Sequence, residues 1–175
     1  MVQASTVRQL DIPLDRDLFL RMLIRELAGT LEEVVGYEEA AGYISLVGQN
    51  MGGWIDDLYR RALGVSRLPA PVVAEVLVDL KRRICGDFSV VEQDGLKIVL
   101  ANRRCPFEDK VLDRMSMCMM TSNVFGVITA NNLGYAKVVL EETIARRCNG
   151  CRVVVHLQPT PEAMAVEGRE YFGRD

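Results

Sequence analysis

Five cysteines are the residues of this chain best suited to chemistry, and they are Cys85, Cys105, Cys118, Cys148 and Cys151. The chain has a single histidine, His156, which argues against histidine-rich metal sites and against Ser-His or Cys-His catalytic arrangements. Thiolates bind zinc and iron–sulfur clusters without any histidine. If this chain binds a metal, we therefore expect sulfur to hold it.

The pair Cys148 and Cys151 forms a C-x-x-C motif across Asn149-Gly150, a predicted turn between two strands. Two intervening residues let both thiolates face one ion, and glycine tolerates the positive φ that a tight turn needs. Cys105 follows a predicted strand, and Cys118 lies on a predicted helix. We expect these four thiolates to form one tetrahedral site for zinc or an iron–sulfur cluster.

Other interpretations of the cysteines stay open. Free cysteine is often a small buried hydrophobic residue, which would suit Cys105 and Cys118, and we expect Cys85 in the core at the end of a helix. Cys148 and Cys151 could instead form a redox dithiol, although the motif does not lie at a helix N-terminus.

The surroundings of the cysteines lean towards a [4Fe–4S] cluster over zinc. Proline follows Cys105, as it often follows the last ligand of ferredoxin motifs. Arginines near the cysteines would offset the charge of four thiolates, or they are solvated surface residues. They are Arg103, Arg104, Arg114, Arg146, Arg147 and Arg152. Methionines near Cys118 provide a polarizable pocket or fill a core; they are Met115, Met117, Met119 and Met120.

Length, composition and charge narrow the class of protein. The chain has 175 residues, of which 49% are hydrophobic and 26% charged, as is ordinary for one globular domain. A net charge of −3 offers no basic surface for nucleic acid. We find no apolar run of about 18 residues for a membrane span and no signal-peptide pattern. We expect a cytoplasmic protein, in which thiols stay reduced.

Residues 14–85 are predicted to be helical. A first helix begins at Asp15 and ends at Gly36, a second covers 38–48, and Gly52-Gly53 breaks it from a third over 54–63. Prolines 69 and 71 open a fourth helix, which Gly86 ends. The apolar stripe of the first helix is expected to face the core; it consists of Leu18, Phe19, Met22, Leu23, Leu27 and Leu31.

Residues 86–158 are predicted to form a sheet and one helix. Strands over 88–92 and 96–101 are joined at Asp94-Gly95, a hairpin turn, and a second hairpin joins 135–144 to 151–157. A helix over 114–131 separates the hairpins. The fold class is therefore α+β, with N-terminal helices packed on a four-stranded antiparallel sheet. We expect one domain over 1–175, with a loose leader at 1–13 and a polar tail at 159–175.

Two further features bear on function. Met115, Met119 and Phe125 could line an apolar ligand cavity with Trp54 and Tyr43, or they pack in an ordinary core. We find no phosphate-binding glycine loop, nucleophile elbow or acid–base pair. An enzyme is therefore the least favoured class.

Several short motifs in the second half occur in a characteristic order. They are Cys105-Pro-Phe, Cys118, Val124-Phe-Gly-Val-Ile128, Asn132-Leu-Gly-Tyr-Ala-Lys-Val138, Glu141-Glu-Thr-Ile-Ala145 and a closing Cys151. By these motifs, the stretch from Leu80 to Leu157 resembles the methanogen output domain branch of the vinyl-4-reductase-type ligand-binding superfamily. The resemblance implies an α+β regulatory or sensory module that is often a homodimer. Related domains bind apolar small molecules, cysteine-ligated zinc or iron–sulfur clusters.

The resemblance also bears on the metal site. Cys105, Cys118 and Cys151 match the cysteine positions of this branch, whereas Cys148 stands where an acidic residue is common, which favours an all-cysteine site here. We therefore expect a module with a four-cysteine iron–sulfur cluster that senses redox state or oxygen. The alternative is a regulatory domain that binds a small apolar ligand and holds a structural zinc. The output would go to a separate signalling or transcriptional protein, without direct contact to nucleic acid or membrane.

Overall fold

The computed structural model describes residues 11–173, so most of the predicted leader and the last two residues lie outside the described part. The helices are α1 (Arg16–Val35), α2 (Tyr37–Leu63), α3 (Ala70–Arg83), α4 (Met115–Leu133) and α5 (Pro161–Ala165). The strands are β1 (Phe88–Gln93), β2 (Lys97–Asn102), β3 (Tyr135–Glu142), β4 (Cys151–His156) and β5 (Arg169–Phe172). Short 3₁₀ turns lie at Glu108–Val111 and Ile144–Arg146.

The strands form one antiparallel sheet in the order β1-β2-β4-β3-β5. The α+β class is thus confirmed, but the sheet has five strands and not the predicted four. The expected polar tail forms α5 and β5, and Tyr135 of β3 pairs with Phe172 of β5. Tyr171 is buried, and its ring lies directly over Gly126 of α4. The end of the chain therefore completes both the sheet and the core.

The inner face of the sheet packs on α3 and α4, and this layer holds the main core. Phe88 and Phe125 meet edge to face there, with ring centroids 5.4 Å apart. Val153 and Val155 of β4 face this core, as the alternation of the strand predicts. Val154 points to the opposite face, where it forms a smaller cluster with Val99 and Val139.

The connection between β3 and β4 differs from the predicted two-residue turn at Asn149-Gly150. β3 ends at Glu142, and residues 143–150 form the connection. Thr143 is buried and accepts a hydrogen bond at Oγ1 from the backbone N–H of Arg146 (3.2 Å). This cap starts the 3₁₀ turn and lengthens the loop that carries Cys148.

Helix α2 runs unbroken for 27 residues, so the predicted break at Gly52-Gly53 is wrong. Gly52 is buried against α4, where an added Cβ would meet Val127 Cβ at 3.0 Å and Val124 Cα at 3.2 Å. Gly48, one turn earlier, lies equally close to α4. These glycines let two backbones approach, and that packing outweighs the low helix propensity of glycine.

Helix α1 does not face the core with its apolar stripe as predicted. Phe19, Leu23 and Leu27 are 55%, 42% and 62% exposed, respectively. Ala28 and Gly29 are the buried residues of this helix, because it rests on the body through its small side chains. The large apolar side chains of α1 therefore form an exposed stripe. None of the described helices is long and apolar enough to cross a membrane.

Neighbouring glycines in α2 provide a matched test of this packing. Gly52→Ala should destabilise the protein by about 1–3 kcal/mol, because the new methyl group overpacks the contact with α4. Gly53→Ala has open space around its Cβ and should stabilise the protein by about 0.5–1 kcal/mol through helix propensity. Urea unfolding measures both, and equal effects of the two variants would contradict close packing at Gly52.

Candidate functional site

Three of the four predicted metal ligands line one small cavity. Cys105, Cys118 and Cys151 surround a volume of about 30 Å³ at the end of the sheet where β2 ends and β4 begins. Such a volume is about the space that one water molecule occupies in liquid water. The remaining walls are mostly apolar and include Phe88, Asn102, Pro106, Phe107, Val111, Met117, Thr121, Leu140, Thr143 and Val153.

The sheet register places Cys151 at the cavity. This residue begins β4 opposite Asn102, the last residue of β2. Its Sγ accepts hydrogen bonds from Asn102 Nδ2 (3.7 Å) and from the backbone N–H of Ile144 (3.5 Å). The sulfur is thus held between the end of β2 and the start of the β3–β4 connection.

Cys105 and Cys118 reach the cavity from a turn and from a helix. Cys105 opens a tight turn, and its carbonyl accepts a hydrogen bond from the N–H of Glu108 (2.9 Å). Cys118 lies in the first turn of α4. Burial raises the pKa of the Cys118 thiol to about 12 and also raises that of Cys105. Without a metal, both are therefore protonated and poor nucleophiles at neutral pH.

Lys81 is a further residue beside the cavity, and no motif in the sequence singles it out. It is buried on α3, and its Nζ donates a hydrogen bond to Thr121 Oγ1 (2.8 Å). The same ammonium lies 5.5 Å from the centroid of the Phe88 ring and 5.3 Å from that of Phe125. Burial lowers the pKa of Lys81 to about 8, whereas the charges of the three cavity cysteines raise it.

No carboxylate pairs with Lys81 among residues 11–173. A buried ammonium needs negative charge nearby, and the ionisable groups that face this one are Cys105, Cys118 and Cys151. The cavity therefore joins one buried cation to three potential thiolates.

The structure does not bring Cys148 or Cys85 to this cavity. Cys148 lies in the β3–β4 connection, where its backbone N–H donates to Thr143 O (3.2 Å), and it is not among the cavity-lining residues. Cys85 is exposed beyond the end of α3, so its predicted core position is wrong. Among residues 11–173, no three His, Cys, Asp or Glu side chains are placed to hold a metal ion.

Several predicted surroundings of the site also differ. Arg147 binds Asp113 (3.0 Å) and Arg152 binds Glu141 (2.7 Å) at the surface, so neither supplies charge to the cavity. Of the two interpretations of Phe125, the structure shows core packing, since Phe125 lies in the main core while Tyr43 and Trp54 are exposed.

The cavity lies beside a second, smaller core that joins α1 to the body. Cys105 and Cys118 pack there with Ala28 of α1 and with Val111, Met117 and Ala145. Nearby, Arg25 of α1 donates to the carbonyl oxygens of Lys110 (2.6 Å) and Leu112 (3.0 Å). The loop that follows Cys105 is therefore tied directly to α1.

Together, the antiparallel sheet, the helical cover and the enclosed thiols define an α+β module. The chain belongs to the methanogen output domain 1 family, whose model matches residues 23–156. The resemblance seen in the sequence is thus confirmed for that branch, and the family is one of signalling output modules. The match ends with β4, so α5 and β5 lie beyond it. No match was found among curated proteins.

The buried ammonium predicts an unusual effect of one substitution. In protein stripped of metal, Lys81→Met should raise the free energy of unfolding by about 1–2 kcal/mol, because an unpaired buried charge is replaced by an apolar side chain. Thr121→Val should lower it by about 1–2 kcal/mol, because Lys81 loses its hydrogen-bond acceptor. Urea unfolding with a chelator present measures both. A loss of stability in Lys81→Met would show that the charge is compensated without metal.

Proposed function

We propose that this chain is a regulatory output module whose signal enters at the centre formed by Cys105, Cys118 and Cys151. We propose further that these thiolates bind one metal ion, with zinc as the best match. The observation that carries the proposal is buried Lys81, whose ionisable neighbours within residues 11–173 are these three cysteines. Thiolates held by a divalent ion would supply the negative charge that this ammonium lacks.

The charges support this assignment. Three thiolates and one divalent cation have a net charge of −1, which the Lys81 ammonium neutralises within the same enclosed space. The N–H donors on Cys151 are of the kind that orient metal-bound thiolates from outside the ligand set. Metal binding would also displace the protons that burial keeps on Cys105 and Cys118. To coordinate one ion, the three sulfur atoms would have to move towards each other across the cavity.

The same observations favour a single ion over the [4Fe–4S] cluster expected from the sequence. A cavity of about 30 Å³ has no room for four irons and four sulfides without rearrangement. The fourth ligand would be Cys148, which lies on the 143–150 loop and away from the cavity. The cavity is likewise too small for the apolar ligand of the alternative hypothesis. The metal analysis described below therefore decides between zinc and a cluster that senses redox state or oxygen.

The output would leave the centre through α1. Cys105 and Cys118 belong to the small core that contacts Ala28, and Arg25 holds the loop after Cys105. Closing the thiols on an ion, or releasing it, must repack this core because protein interiors have little free volume. Helix α1 would shift in response, and with it the exposed apolar stripe that a partner contacts.

We propose that a second copy of the chain covers this apolar face in a homodimer. On α2 the exposed residues Val47, Met51, Trp54 and Leu58 follow the four-three-four spacing of a helix–helix seam. The exposed apolar side chains of α1 add to this surface, and a standard interface buries ~800 Å² per partner. A monomer rarely leaves so large an apolar patch open. A separate signalling or transcriptional protein would read the dimer.

Metal analysis of anaerobically purified protein tests the proposed centre. We expect colourless protein with one zinc ion per chain, and loss of that zinc in Cys118→Ser and Cys151→Ser because each removes a thiolate. Cys85→Ser, at an exposed thiol away from the cavity, is the matched control and should keep its zinc.

Cys148→Ser separates the possible ligand sets. Retained zinc in this variant supports the three-thiol centre, whereas its loss would make Cys148 a ligand. Brown protein that contains iron and sulfide would show that the centre holds an iron–sulfur cluster and not zinc. Protein that binds no metal would overturn both the zinc and the cluster assignments.

Substitution on the seam tests the dimer. The double variant Trp54→Lys, Leu58→Lys should be monomeric at concentrations where the wild type is a dimer, because buried unpaired ammonium groups oppose association. Val91→Lys changes an apolar residue on edge strand β1 that is 57% exposed and should remain dimeric. Light scattering coupled to gel filtration gives the mass of each variant. A monomeric wild type, or a dimeric double variant, would refute this interface.

A further inference from the structure

A second cavity, of about 830 Å³, opens at the other end of α4 from the thiol centre. It lies between α2, α4 and strand β5, so that part of its wall lies beyond the segment matched by the family model. Its size is within the range of small-molecule sites, roughly 300–1,000 Å³. The lining residues are Gln49, Asn50, Gly53, Asp57, Arg60, Arg67, Val127, Asn131, Glu170, Tyr171 and Phe172.

Carboxamide side chains are concentrated in this groove. Gln49 and Asn50 make no side-chain hydrogen bond to any other residue of the described range 11–173. Asn131 donates through Nδ2 to Asp56 (3.2 Å), which leaves its Oδ1 as an acceptor. Each carboxamide combines a donor and an acceptor in one plane, and such a group can bind two neighbouring hydroxyls at once.

A buried carboxylate holds the wall of the groove in place. Asp56 is fully buried and accepts hydrogen bonds from Asn131 and Asn132 (3.2 and 2.7 Å). It also pairs with Arg60 Nε (3.2 Å), and Arg60 in turn binds Asp57 (2.6 Å). Because these groups are fixed before any ligand arrives, little ordering would oppose binding.

The charges in the groove balance. The lining contains two arginines, Arg60 and Arg67, and two carboxylates, Asp57 and Glu170, so its formal charges cancel and favour neither an anion nor a cation. The ring of Phe172 is 71% exposed at the edge of the groove, and it meets Tyr135 edge to face at 5.7 Å. This ring is thus held from behind and offers an apolar surface to the C–H face of a ligand.

We propose that this groove binds a neutral polyhydroxylated molecule of monosaccharide size. The planar amide groups of Gln49, Asn50 and Asn131 would form hydrogen bonds with the ligand's hydroxyls, and the balanced charges suit an uncharged ligand. Phe172 would contact the C–H face of the ligand. The proposal is independent of the thiol centre and goes beyond the metal-dependent function. Asn50, Gly53 and Asp57 each precede a residue of the α2 seam, so the bound ligand would lie directly beside the dimer face.

Titration of ¹⁵N-labelled full-length protein with glucose, galactose, N-acetylglucosamine and ribose tests this site. We expect saturable shifts of the side-chain amide signals of Gln49, Asn50 and Asn131 with at least one of these sugars. Phe172→Ala and Asn50→Ala should weaken that binding about tenfold or more, a loss of about 1.4 kcal/mol or more. Gln158→Ala removes an exposed carboxamide outside the groove and should leave the affinity unchanged.

Three results would overturn the assignment. The first is the absence of saturable shifts with every one of these neutral sugars. The second is tighter binding of glucose 6-phosphate or inorganic phosphate than of the neutral sugars, which would make the groove an anion site. An equal loss of affinity in Gln158→Ala would likewise place binding elsewhere.

Discussion

The ammonium of Lys81 constrains the centre of this structure more than any other group. Removing a charge from water costs several kcal/mol unless opposite charge accompanies it. The neutral partners of Lys81 in the described part of the chain are Thr121 and two aromatic rings, Phe88 and Phe125. Its ionisable neighbours are thiols, and burial keeps two of them, Cys105 and Cys118, protonated. The fold therefore encloses a cation whose counter-charge exists only when protons leave the cysteines, and this links the chemistry of the centre to its stability.

Much of the fold could be predicted because strand alternation and turn residues are local signals. The β1–β2 hairpin and α4 lie within one or two residues of their predicted bounds. The break predicted at Gly52 is wrong because a glycine that ends a helix and a glycine that packs one helix against another give the same sequence signal. Strand β5 has four residues, of which Tyr171 alone is buried. That is too short a pattern to show alternation.

The site was only partly predictable for the same physical reason. Sequence spacing identified Cys105, Cys118 and Cys151, but adjacency to Cys151 suggested a role for Cys148 that the β3–β4 loop does not support. Lys81 does not stand out in the sequence because it begins the basic run Lys81-Arg82-Arg83, which is typical of the solvated end of a helix. Its position one turn after Leu77 and two turns after Val73, both buried, was the available signal. Periodicity likewise identified the apolar stripe of α1, but it cannot tell an internal core from an intermolecular contact.

The attachment of α1 explains how a change of about one ion's size could reach a partner surface. The helix contributes only small residues to the body, Ala28 and Gly29, so its position depends on the polar contacts along the loop after Cys105. Arg25 binds two carbonyls of that loop, and Glu32 accepts hydrogen bonds from Ser116 near the start of α4. These contacts all lie on the segment between Cys105 and Cys118. A shift of the thiols would therefore act on the support of α1 and also on Phe88 and Val153, the cavity walls that the centre shares with the main core.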